Sequence, residues 1–141
     1  MHRSRSDLEA LLAGKWVAVL GDSVARLFYA ALLRAAGASP DQHVVEGHQS
    51  FDHTLLRGAR SSFVWAPFSA NLTESLTAWA AAAASVPRKL GEADPDAARA
   101  AGVPDVLVLC ASLWHMLHVG DPDAYALALQ QARTQAQSWR L

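Results

Sequence analysis

The chain is 141 residues long, enough for one domain whose core holds without disulfide or metal staples. Its formal net charge of −1, with 12 Lys and Arg scattered against 13 Asp and Glu, excludes the basic field of a nucleic-acid binder. A single cysteine, Cys110, excludes an intrachain disulfide and leaves the redox compartment open, and the apolar stretches at 78–86 and 106–119 are shorter than the ~20 residues of a spanning helix.

From the amino terminus, Met1 to Asp7 carries two arginines but leads into an amphipathic segment rather than an apolar signal core, so no export signal is expected. Ser6 or Asp7 caps a short helix over 7–13, with Leu8, Leu11 and Leu12 on one side and Gly14 as its stop. A strand follows over Lys15 to Leu20. The next helix, Val24 to Ala36, places Leu27, Phe28, Ala31, Leu32 and Ala35 at helical spacing, which predicts that this face lies on the sheet.

His43 to Glu46 and Ser61 to Trp65 read as short strands with a polar loop between them. Thr73 to Ser85 reads as a helix with a stripe of Leu72, Leu76, Trp79 and Ala80, ended by Pro87. The stretch Arg88 to Gly102 mixes charge, proline and alanine and reads as a surface loop or one helical turn. Val106 to Cys110 is a continuous aliphatic run suited to a strand covered on both faces, in which Cys110 acts as a small hydrophobe. Asp121-Pro122-Asp123 caps a last helix, Ala124 to about Trp139.

Strands alternating with helices predict an α/β fold: one domain over 1–141, with a three-layer parallel sheet and flanking helices, flavodoxin-like in outline. Such a sheet places its site outside the carboxyl ends of the strands, which brings Ser23, Gly47, the residues after Trp65, and Ser112 to His115 toward one edge.

Gly21-Asp22-Ser23 joins the first strand to its helix. A serine on that turn is a candidate nucleophile, because backbone N–H groups at the helix start can hold a developing oxyanion. Asp22 or Ser23 as a plain helix cap is the competing reading. A serine nucleophile needs a base. His115 lies beyond the strand ending at Cys110 and is one candidate; a histidine flanking an apolar turn is the other account of it. His43, His48 and His53 recur every five residues, a spacing that aligns on neither a helix nor a strand face, and His115 with His118 has no third ligand nearby, so no metal site is expected. Arg26, three residues after Ser23, could steady an anion or be a surface arginine. Asn71-Leu72-Thr73 is a glycosylation sequon, meaningful only in a lumenal domain. With no glycine-rich phosphate loop after the first strand, nucleotide binding is disfavoured.

Three ordered segments carry a family resemblance. Gly21-Asp22-Ser23 with Arg26-Leu27-Phe28-Tyr29 resembles the opening of the catalytic domain of the CAS1-type sugar O-acetyltransferases, in the PC-esterase branch of the SGNH hydrolase superfamily. Ser62 to Pro67 resembles that family's F-x-W-x-P segment. Pro104 to Trp114, continuing through Gly120 to Tyr125, resembles its P-x-V-I-V-V-G-A-A-T-W block.

The resemblance implies an SGNH-like fold with Ser23 as acyl-accepting nucleophile and its backbone N–H as an oxyanion donor. Gly21, Asp22 and Arg26 shape the site, Gly47 is a second oxyanion donor, and Trp114 lines a substrate pocket with Ser112 and His115 beside it. It implies a carbohydrate substrate, no bound cofactor, an acetyl group derived ultimately from acetyl-CoA, and placement on the lumenal side of the Golgi ahead of a transmembrane region. Two features depart from the family pattern. Cys110 stands where the family has glycine, and the family's Asp-x-x-His base motif occurs nowhere in these 141 residues. The expectation is therefore a domain truncated at its carboxyl end, its sheet incomplete, acting as an O-acyltransferase or esterase; the alternative is a non-catalytic carbohydrate-binding or interaction domain.

Overall fold

Trp16 to Gly21 form β1, and every one of these six residues is buried. Burial on both faces requires neighbours on both sides, and in the computed structural model β1 lies inside a four-stranded sheet of order β2-β3-β1-β4. The structure describes residues 5–43, 45–85, 102–110 and 113–138, with the backbone alone at 5, 43, 56, 83, 84, 113, 115, 116 and 138. The expected loop at 88–102 lies, but for its last residue, outside the described residues.

In chain order the elements are α1 (Arg5–Leu12), β1 (Trp16–Gly21), α2 (Ser23–Ala35), β2 (Phe51–Thr54), β3 (Arg60–Trp65), α3 (Ser69–Ala84), β4 (Val106–Cys110), α4 (Leu113–His118) and α5 (Pro122–Ser138), with short 3₁₀ turns at Pro40–His43 and Leu56–Gly58. The fold is α/β in three layers. Alternation along the strands sends Val19, Phe63, Val108 and Cys110 toward α1 and α2, where they meet Leu8, Leu12, Ala25, Tyr29 and Leu33. Trp16, Ala18, Leu20, Leu107 and Leu109 point the other way, against Leu72 and Leu76 of α3 and Ala132 of α5. A fully buried leucine of this kind contributes roughly 1.5–3 kcal/mol.

Four expectations change. The strand expected over His43 to Glu46 is not seen at its described residues: His43 ends a 3₁₀ turn that begins at Pro40, and Val45 is buried in the core as a loop residue. The strand that exists there is β2, and it pairs antiparallel to β3, so only β3, β1 and β4 are mutually parallel. The stripe of α2 is also turned around. Leu27 and Phe28 are 67% and 49% exposed, while Ala25, Tyr29, Ala30 and Leu33 face the sheet. This helix is apolar nearly all round, so periodicity alone does not choose its face. The hydroxyl of Tyr29 does, since it donates to the Ser61 carbonyl at 2.9 Å and lies 2.9 Å from His53 Nδ1. Finally, β4 is covered in part: Leu107 and Leu109 pack on one face and Val108 and Cys110 on the other, but at this edge of the sheet among the described residues Val106 is 45% exposed.

The connections place the site. From β1 the chain turns into α2 on one face, whereas β3 and β4 both lead to helices packed on the other. At the carboxyl end of β1 the chain therefore departs opposite to both its neighbours, the arrangement that opens a crevice in α/β sheets.

Candidate active site

Gly21 ends β1 level with Trp65 of β3 and Cys110 of β4. Its carbonyl accepts from Ala66 N at 2.9 Å, and Asp22 N donates to the Cys110 carbonyl at 3.3 Å. The three strand ends are thus laced together around one residue. Only glycine fits, because a Cβ there would overlap the Cys110 carbonyl and come within 2.6 Å of Ala25 Cβ. The Cys110 side chain is half-buried against the α2 side of the core.

Asp22 is the cap of α2. It is fully buried, and its Oδ1 accepts from Val24 N at 2.9 Å. Its other oxygen accepts from Trp114 N at 3.4 Å, tying the start of α4 to the start of α2. Because Asp22 caps the helix, Ser23 does not have to. Ser23 occupies the first helical position, half-buried, and neither its hydroxyl nor its backbone N–H has a hydrogen-bond partner among the described residues.

One turn on, Arg26 donates from Nη1 to the Gly47 carbonyl. The guanidinium thereby fixes the loop that carries Gly47 and His48. Gly47 adopts φ +74°, and the space where its Cβ would point is open. It precedes β2 instead of following a strand.

Rings close around this turn. His48 stacks on Trp65 at 4.5 Å between centroids and 16° between planes. Trp114 stands nearly perpendicular to both, 5.5 Å from His48 and 6.0 Å from Trp65. Phe68 meets Trp114 edge-on at 6.4 Å, and His118 lies 5.0 Å from Trp114. His48 and His118 are exposed; Trp65, Phe68 and Trp114 are half-buried. Tyr125, near the start of α5, completes the neighbourhood: burial, and then Cys110 and Asp22, push its phenol above the usual value.

Of the residues singled out from sequence, the structure gathers Gly21, Asp22, Ser23, Arg26, Gly47 and Trp114. Ser112 lies outside the described residues, and for His115 only the backbone is described. The sequon asparagine sits in the first turn of α3, where its Oδ1 accepts from Phe68 N at 3.3 Å. Sequence reasoning missed roles for His48, Trp65, Phe68, His118 and Tyr125. The available signal was aromatic residues directly after strand ends and next to Gly47. Among the described residues no three His, Cys, Asp or Glu side chains come together as a metal site, and no helix is long and apolar enough to cross a membrane.

The fold and site define a three-layer α/β domain with a serine on the turn after its central strand and an aromatic wall beside it. The chain is similar to the protein ALTERED XYLOGLUCAN 9 of Arabidopsis thaliana, 28% identical over a 140-residue match that covers 94% of this chain and 33% of the relative. It thus spans about a third of that protein's length. No family model matches the chain, and no solved structure matches it.

Proposed function

We propose that the chain is the nucleophile-bearing part of a serine-dependent O-acyltransferase or esterase that acts on carbohydrate hydroxyls, of the PC-esterase type, on the lumenal side of the Golgi. One observation carries the proposal. Asp22 takes over the capping of α2, and among the described residues neither the hydroxyl nor the N–H of Ser23, at the helix start, has a partner. A serine that serves only as a cap would be using its oxygen on the first-turn amides. Similarity to a plant protein named for xyloglucan supports a carbohydrate acceptor.

In this reading Ser23 Oγ attacks the acyl carbonyl of a donor ester, the donor's alkoxide leaves with a proton, and the acyl group then passes from the serine to a sugar hydroxyl or to water. The N–H of Ser23, aided by the helix dipole, faces the charge that develops on the carbonyl oxygen. Val24 N–H is already engaged by Asp22, so a second donor has to come from elsewhere, and the open Gly47 turn held by Arg26 is the candidate. One observation favours a second reading, carbohydrate binding without acyl transfer: no described imidazole is hydrogen-bonded to Ser23, and the sequence holds no Asp-x-x-His.

A fluorophosphonate probe decides between the two. The acyl-transfer reading expects its mass on Ser23 of the folded chain and none on Ser23→Ala. A folded chain that stays unlabelled, while a serine esterase in the same tube reacts, overturns it and leaves the binding reading.

A further inference from the structure

We infer that His48, Trp65, Phe68, Trp114 and His118 form a sugar subsite, in which a pyranose ring lies with its C–H face on the aromatic surface beside Ser23. The inference rests on the carbohydrate reading above and assigns the residues that would recognise the acceptor.

The first support is the contrast with the core. Tyr29 and Phe63 pack at 0% exposure and Phe51, Trp65 and Trp79 lie partly buried against the two cores, whereas the carboxyl-edge cluster carries the exposed rings His48 and His118. The five rings at the carboxyl edge are exposed or half-buried, yet they are ordered against one another.

The second support is their geometry. Trp114 is almost equidistant from His48 and Trp65, at 5.5 and 6.0 Å, although those two rings are stacked 4.5 Å apart. A ring capping the stack would be much nearer one member than the other, so Trp114 flanks the stack. The outer face of exposed His48 is left uncovered by it. An aromatic face carries negative charge density, and the axial C–H groups of a pyranose present a weakly positive surface to it. His48 and His118 are the exposed members of the cluster, and an imidazole can donate to or accept from a sugar's equatorial hydroxyls. Apolar surface bordered by a few placed polar groups is the general form of a small-ligand site.

The third support is anchoring. The wall is held by the two residues that bracket Ser23: Asp22 bonds Trp114 N, and Arg26 bonds the carbonyl of Gly47, next to His48. Trp65 is level with Gly21 in the sheet. The helix that presents the serine therefore also sets both sides of the wall, which ties the position of a bound sugar to that of the hydroxyl.

The test is binding of a xyloglucan oligosaccharide to the Ser23→Ala chain, followed through the indole N–H signals of an isotope-labelled sample. Trp65 and Trp114 are expected to shift in a saturable way while Trp16, engaged with Ser62 inside the fold, stays still. His48→Ala is expected to weaken binding about tenfold, the scale of one lost aromatic contact, and Trp114→Leu to do the same if His48→Ala disturbs the loop. Absent or non-saturable shifts, shifts that include Trp16 equally, or undiminished affinity in both folded variants overturn the subsite. Probe labelling of Ser23 without sugar binding rejects the subsite and leaves the nucleophile. Sugar binding without labelling supports the subsite and rejects the nucleophile.

Discussion

The two ends of the sheet differ in how they use polar groups. At the amino end and through the lower half, side-chain polar groups bond to one another in a connected set, with the buried Ser61 hydroxyl left outside it. Trp16 Nε1 donates to Ser62 Oγ at 2.8 Å, Ser62 donates to Asp52 at 2.9 Å, and Arg60 reaches Asp52 through Nη2 at 2.7 Å. The Arg60 guanidinium also lies 4.1 Å over the Trp16 ring. Asp105 accepts from Trp16 N at 2.7 Å and pairs with Lys15 at 3.3 Å. At the carboxyl end the backbone is laced just as closely, but Ser23 has no partner among the described residues, and a cluster of five rings there is only half-buried or exposed. One end is closed on itself and the other is held open, a contrast expected when a rigid scaffold presents groups for a ligand.

The strongest way to break that contrast is to unlace the carboxyl end. Gly21→Ala drives a Cβ into the Cys110 carbonyl and against Ala25. The neighbour is backbone and cannot rotate away, so the strand ends must separate. The expected loss is about 3 kcal/mol or more, read as a lowered urea midpoint. An unchanged midpoint would mean that the three strand ends are not held as described.

Two serines sharpen it next. Ser62→Ala strips one partner each from the Trp16 indole and the Asp52 carboxylate, and is expected to cost about 2 kcal/mol. Ser23→Ala removes a hydroxyl with no described partner and is expected to lie within about 0.5 kcal/mol of the parent while abolishing probe labelling. Equal destabilisation by the two in urea titrations would erase the distinction between the ends.

The closed end was more legible from sequence than the open one. Continuous apolar runs locate β1 and β4, the stripe of Leu72 and Leu76 locates α3 because it is buried, and the Asp121-Pro122-Asp123 cap locates α5. β2 escaped because Phe51-Asp52-His53-Thr54 is half polar and is extended only through pairing with β3, where Asp52 meets Ser62 and Arg60. The face of α2 escaped because both its sides are apolar, and a single phenol hydroxyl decides the matter from within. Gly21-Asp22-Ser23 was legible from its strand-to-helix context. The aromatic wall was not, because its rings come from positions 48, 65 to 68 and 114 to 118, which only the strand order brings together.

The smallest expected effect tests the closed end through pH. Burial alone would push the Asp52 carboxyl up, but the bonds from Arg60 and Ser62, with the charges of Arg60 and His53, outweigh it and hold the group below 3.8. A carboxyl depressed in the folded state stabilises the fold above its unfolded value, and this contribution drains away as pH falls below 3.8 through the folded value. Asp52 is half exposed, at 53%, so solvent screens the pair and the effect stays small. Arg60→Gln weakens the depression, leaving the parts due to Ser62 and His53, and removes the contact over Trp16. The lost ring contact lowers the urea midpoint equally at every pH, whereas the weakened depression flattens only the acid limb. The expected result is a constant offset between parent and variant above about pH 5 that narrows below pH 3.8, and narrows less in molar salt. Profiles that stay parallel to the acid end would show that Arg60 holds the closed end through its stacking on Trp16, with Asp52 contributing nothing.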